Sequence, residues 1–93
     1  MNGDLPAAVT IGDSVLYQDL EDEVVLLNMA NQQYYGLNDV GAQMWKSLLE
    51  TKDVAAAGDR LAEMYEVEQT VLRADLNRLI VKLLDAGLLK GTL

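Results

Sequence analysis

The 93-residue chain contains no cysteine and no histidine, and these two absences exclude several kinds of chemistry. Without them there are no disulfide bridges, no thiolate zinc sites, no cysteine nucleophile and no imidazole base. The serines lack a histidine to activate a hydroxyl group, and the glycines match no phosphate-binding loop. We therefore expect no catalytic residue, no metal site and no cofactor, and we interpret the chain as a non-enzyme.

Positive charge is also scarce, because seven Lys and Arg residues face fifteen Asp and Glu residues and leave a net charge of −8. Phosphate backbones and anionic membrane surfaces repel such a chain, so we predict no nucleic acid and no membrane as partners. No apolar run approaches the roughly 20 residues that span a bilayer, and the first residues do not resemble a signal peptide. The composition favours a cytoplasmic binding module built as one domain.

Hydropathy periodicity divides the chain into a tail, a strand region and a helical region. Residues 1–12 have no period and include the single proline, so we predict a flexible N-terminal tail, followed by a domain over residues 13–93. Three segments rich in apolar and β-branched residues, 14–18, 23–28 and 33–37, are separated by polar turns. This pattern predicts a three-stranded antiparallel meander.

Helical periodicity follows Leu37 and predicts three helices. Asn38 and Asp53 are good N-cap residues for the first two helices, and the third runs from about Glu68 to Ala86 with Gly87 beyond its C-terminus. The predicted fold class is α+β, with an N-terminal three-stranded antiparallel meander followed by three helices.

The third helix has apolar residues on two faces. The predicted core face consists of Leu72, Leu76, Leu79, Ile80 and Leu83. The opposite face carries Val71, Ala74, Arg78, Val81 and Lys82. Two interpretations stay open: these are incidental exposed residues, or they form one wall of a groove for an apolar, partly acidic partner.

The third predicted strand lacks the residues that usually protect an edge. It contains no charge and no proline, whereas edge strands are normally blunted by one or the other. An extended peptide can add to such an edge through main-chain hydrogen bonds. We therefore predict a peptide-binding site here and expect the N–H of Tyr35 to face the open edge. The candidate residues are Gln33, Tyr34, Tyr35, Gly36 and Leu37. The alternative for Tyr34 and Tyr35 is that one lies in the core and one on the outer face, which leaves the missing charge unexplained.

The string Tyr-Tyr-Gly-Leu-Asn-x-x-Gly-Ala-x-x-Trp at residues 34–45 resembles the PqqD family, named for coenzyme PQQ synthesis protein D, and residues 61–89 are similar to its C-terminal half. The resemblance implies a winged helix-turn-helix-like fold and the role of a RiPP recognition element. Such domains bind the leader segment of a ribosomally made precursor peptide and deliver it to a modifying enzyme, often a radical SAM protein. In similar domains the leader adds to the third strand and lies against the third helix, which correspond to the two candidate surfaces above. The resemblance does not by itself assign this chain to PQQ biosynthesis.

Three other functions compete with this interpretation. A winged-helix DNA-binding protein would need clustered cations, but Asp75 and Asp85 interrupt the basic residues of the third helix. A homodimer could form by pairing two copies of the uncharged edge strand. A third possibility is a chaperone for peptides outside natural-product synthesis.

Overall fold

The computed structural model describes residues 5–92 and shows an α+β architecture in which strands flank three helices. The elements in chain order are β1 (Ala8–Ile11), β2 (Val15–Asp19), β3 (Val24–Asn28), β4 (Gln33–Leu37), α1 (Asp39–Thr51), α2 (Val54–Met64), α3 (Gln69–Asp85) and β5 (Leu89–Thr92).

Strands β2, β3 and β4 form the predicted antiparallel meander, in that order. In one row of the sheet Tyr17 lies opposite Leu26, and Leu26 lies opposite Tyr35. Alternate side chains of β3 point inward, so Val24 and Leu26 are fully buried. The predicted fold class of a meander followed by three helices is confirmed.

Short-range signals in the sequence set the helix ends. The side chains of Asn38 and Asp53 accept backbone N–H bonds in the first turns of α1 and α2. After α3, Gly87 has a left-handed φ of 74°, which lets the N–H of Leu88 donate to the carbonyl of Leu83 at 2.9 Å. This Schellman closure satisfies carbonyls that would otherwise lack a partner at the helix end.

The prediction of a flexible tail over residues 1–12 is wrong for Ala8–Ile11, which form β1. This strand pairs antiparallel with β5, and Val9 is completely buried. Residues 1–4 of the predicted tail lie outside the described residues. Neither β1 nor β5 was predicted, because each has only four residues and its partner lies about 80 residues away in the chain.

The core collects side chains from both sheets and all three helices. Trp45 of α1 is fully buried at its centre, and Tyr17 of β2 packs edge-on against it with ring centroids 5.6 Å apart. At the sheet surface Lys46 approaches Asp19 at 3.0 Å, and its hydrogen bond lowers the pKa of that carboxyl. These contacts tie the meander to α1 and hold β4 beside it.

Helix α2 packs closely against α3. A Cβ atom at the buried Gly58 of α2 would collide with the guanidinium group of Arg73, which pairs with Asp59 at 2.6 Å. A side chain at this position would therefore have to displace the end of Arg73, while the glycine itself costs about 1 kcal/mol of helix propensity relative to alanine. No helix within residues 5–92 is long and apolar enough to cross a membrane.

We predict that Val9→Ala lowers the free energy of unfolding by about 1.5–3 kcal/mol, because it removes buried methyl groups and leaves a cavity. Val67→Ala, at a position that is 52% exposed, is the matched control and should change it by less than about 0.5 kcal/mol. Urea unfolding measures both. Equal effects of the two variants would show that β1 does not pack on the core.

Candidate functional site

The hydrogen bonds at the two ends of the β2–β3 ladder show which way the backbone N–H and C=O groups of each strand residue point. The N–H of Leu20 donates to the carbonyl of Glu23 at one end of the β2–β3 ladder, and the N–H of Met29 donates to the carbonyl of Ser14 at the other, both at 2.8 Å. Hydrogen-bonded pairs alternate with non-bonded pairs along an antiparallel ladder. The bonds at both ends therefore agree that the backbone N–H and C=O groups of Val25 and Leu27 point toward β2.

The intervening residues of β3 must then direct their N–H and C=O groups toward β4. These residues pair with alternate residues of β4: Leu26 is opposite Tyr35, and Val24 is opposite Leu37. Consequently Tyr35 uses its backbone groups inside the sheet, and Tyr34 and Gly36 direct theirs toward the open side of β4. The prediction that the Tyr35 N–H faces the open edge is wrong. This N–H points toward β3, and the N–H groups of the two neighbouring residues, Tyr34 and Gly36, face the open edge instead.

Strand β4 lies at the edge of its sheet, as predicted, and its open side carries no charge from the strand itself. Tyr34 is 71% exposed, and Gly36 is also exposed. Tyr35 and Leu37 are half-buried and pack against the core, so the strand is firmly attached on its inner face. The alternative given for the tyrosines is thus observed in part, because Tyr34 points outward and Tyr35 points inward but is only half-buried.

The face of α3 singled out by its sequence is exposed. Val71 and Val81 are 51% and 44% exposed, and Ala74 and Lys82 also lie at the surface. Arg78 reaches into solvent, although it pairs with Asp75 of the same helix at 2.8 Å. This face therefore combines apolar area with two cations, as the hypothesis of a groove wall requires.

Neither candidate surface makes its main contacts with the other. Strand β4 has its main contacts with β3 and α1, whereas α3 packs on α2 and β5. Both elements nevertheless pack on the same hydrophobic core, because Tyr35 and Leu37 of β4 and Leu79 of α3 are half-buried side chains that contact it. The sequence placed Leu79 in the core, and the structure places it at the surface of that core.

The outer face of the meander is apolar, which the sequence analysis did not single out. Leu16, Leu27 and Tyr34 lie side by side across the three strands. Leu16 is 57% exposed, and Met29 beyond the end of β3 is 52% exposed. The apolar character of β3 on both faces was the signal for this surface, since a central strand with one solvated face should alternate.

The structure thus defines a small α+β domain with an open, uncharged edge strand and a partly apolar helix face. A model of the family Coenzyme PQQ synthesis protein D (PqqD) matches residues 23–89, and the chain belongs to this family. Two solved structures are similar. TbiB1, in complex with the TbiA(beta) leader peptide, is 32% identical with a TM-score of 0.84 over 90% of this chain and 98% of that one. A lasso peptide synthetase B1, complexed with the leader peptide, is 26% identical with a TM-score of 0.80 over 91% of this chain and 100% of that one. No curated protein matches the chain.

The alternation of hydrogen bonds along β4 predicts unequal losses of stability when proline replaces neighbouring residues. Tyr35→Pro should lower the free energy of unfolding by about 1–3 kcal/mol, because it deprives the carbonyl of Leu26 of its donor. Gly36→Pro removes an N–H that has no partner within the sheet and should cost less than about 1 kcal/mol. Thermal unfolding compares the two variants. A greater loss for Gly36→Pro would contradict the assigned phase.

Proposed function

We propose that this domain binds the leader segment of a ribosomally synthesised precursor peptide, as an added strand on β4, and presents it to a modifying enzyme without doing chemistry itself. The observation that carries this proposal is the open edge at Tyr34 and Gly36, which no charge or proline protects. Two similar structures contain leader peptides, which supports the same occupant here.

The edge supplies main-chain recognition that does not depend on the sequence of the bound strand. The N–H and C=O groups of Tyr34 and Gly36 can form as many as four hydrogen bonds with an extended peptide. A disordered leader loses conformational entropy when it binds, so these bonds must offset an ordering cost. Specificity then has to come from side-chain contacts on either side of the strand.

The inner side of the added strand would supply part of that specificity. We infer that its side chains contact Tyr35 and Leu37 and extend toward the exposed face of α3. Val71, Val81 and Leu79 offer apolar area there, and Arg78 and Lys82 offer positive charge. A leader with apolar side chains and at least one carboxylate fits this surface, because Arg78 and Lys82 can pair with a carboxylate locally, although the net charge of −8 on the domain opposes its approach at longer range.

The benefit of such a domain is positional. By holding the leader, it raises the effective concentration of the remainder of the precursor near the modifying enzyme. A radical SAM enzyme is the proposed class of partner. A cytoplasmic site of action stays a prediction, and membership of the family does not by itself assign the domain to PQQ biosynthesis.

A second candidate function is homodimerisation through the same edge. The uncharged strand that can accept a peptide can also pair with β4 of another copy. The net charge of −8 on each copy opposes this association. Light scattering distinguishes the two, because a peptide that competes for the edge would convert a dimer into monomers.

Hydrogen exchange tests the proposed function at single residues. The probes are the TbiA(beta) leader peptide and binders selected from a displayed library of random peptides. We expect bound peptide to slow amide exchange at Tyr34 and Gly36, because their N–H groups gain partners, and to leave Tyr35 nearly unchanged. Binding that protects neither amide, or failure of every probe to bind, would overturn the proposal.

Arg78→Glu tests the contribution of α3. We expect peptide affinity to fall about tenfold, since the variant replaces a cation by an anion beside the bound strand. Arg60→Glu makes the same charge change on α2, at a side chain paired with Glu50, and should alter affinity by less than about threefold. Calorimetry measures both, and equal losses would place the peptide away from α3.

A further inference from the structure

Gly36 is a glycine for which the fold of the domain gives no reason. Among the glycines that the structure describes, Gly87 alone has a positive φ, so the backbone at Gly36 is open to any residue. A Cβ atom at Gly36 would meet nothing within 4 Å, so crowding does not exclude a side chain either. Glycine weakens a strand, and in strands it often marks a close approach by a ligand or another backbone.

The surroundings of Gly36 form a gap in the apolar outer face of the meander. Gly36 lies opposite Val25, and Tyr34 stands beside it on the same face. A depression of about 350 Å³ is lined by Leu16, Tyr17, Gln18, Val25, Leu27 and Tyr34. Two of these residues, Val25 and Tyr34, are the neighbours of Gly36 on this face. None of these six side chains carries a charge and Gln18 is the single amide among them, so the depression suits a largely apolar group.

We propose that Gly36 leaves room for one large apolar side chain of the bound strand, which lies across the glycine against Val25 and Tyr34. This inference rests on the proposed function, because it takes the added strand as the occupant. Residues directly opposite each other in a ladder direct their side chains to the same face. The peptide residue paired with Gly36 therefore points its side chain outward, and large side chains are known to cover glycines in neighbouring strands.

The position of the gap favours the added strand over other occupants. Gly36 is one of the two residues whose backbone groups face the open edge, so the same residue that binds the peptide main chain lacks a side chain. The gap is continuous with that edge through Tyr34. A second copy of this chain would bring another net charge of −8 to the same surface.

A graded substitution at Gly36 tests this role with peptides selected for binding to the wild-type domain. Gly36→Ala should weaken binding a few-fold and Gly36→Val at least tenfold, because each fills more of the gap. The melting temperature should stay the same or rise, since both residues favour strand structure more than glycine. Thr92→Val, at an exposed position of β5, is the control for placing valine in a strand without changing the charge and should keep affinity within about threefold.

A double-mutant cycle identifies the side chain that fills the gap. Alanine is placed at each position of the selected peptide, and the affinity of every variant is measured with wild-type and Gly36→Val domains. We expect one large apolar peptide residue whose truncation costs at least tenfold with wild type and less than threefold with Gly36→Val. The absence of such a residue, or equal affinity of the two domains for the intact peptide, would overturn the proposal.

The outcomes separate this inference from the proposed function. Slow amide exchange at Tyr34 and Gly36 together with unchanged affinity of Gly36→Val would support strand addition and refute the filled gap. Failure to protect either amide would refute both. A free domain that is dimeric in light scattering and becomes monomeric with Gly36→Val would assign the gap to a second copy and also overturn the inference.

Discussion

The alternation of backbone hydrogen bonds across β3 is the constraint on which the candidate site depends. Each residue of a strand directs its N–H and C=O to one side, so the hairpin that joins β2 to β3 also decides which groups of β4 are available. Bonds at the two ends of the β2–β3 ladder agree on this phase. The same alternation directs Tyr34 outward and Tyr35 inward. One local geometric rule therefore links the hydrogen-bonding edge to the apolar outer face.

The pairing of β1 with β5 has a different role. These short strands bring the two ends of the described chain together beside the helices, and Val9 and Leu89 enter the core there. A domain of this size has little apolar area to spare, so burial of these residues contributes materially to its stability. Because β1 pairs only with β5 among the described strands, the β2–β3–β4 sheet is separate from this pair and has β4 at its edge.

Charge and apolar area are distributed unevenly over the surface. Acidic residues dominate the composition, yet β4 has none, and the exposed face of α3 contains two of the seven cations. Repulsion by the remaining surface disfavours self-association and binding to polyanions. The uncharged edge can still accept a neutral or partly acidic strand, because main-chain hydrogen bonds need no charge on the partner.

Local patterns were enough to predict the meander, the three helices, the caps of the first two helices at Asn38 and Asp53, and the glycine that closes α3. These features rest on local periodicity and on contacts within a few residues, which a linear pattern contains. The exposed face of α3 was also readable, because helical spacing separates it from the core face. Three features could not be predicted in this way: the pairing of β1 with β5, the place of Leu79 at the border of the core, and the direction of the Gly36 backbone, instead of that of Tyr35, toward the open edge. The first two depend on partners that are distant in the sequence. The third depends on the register of hydrogen bonds between strands, and a shift of one residue in that register exchanges every inward and outward group.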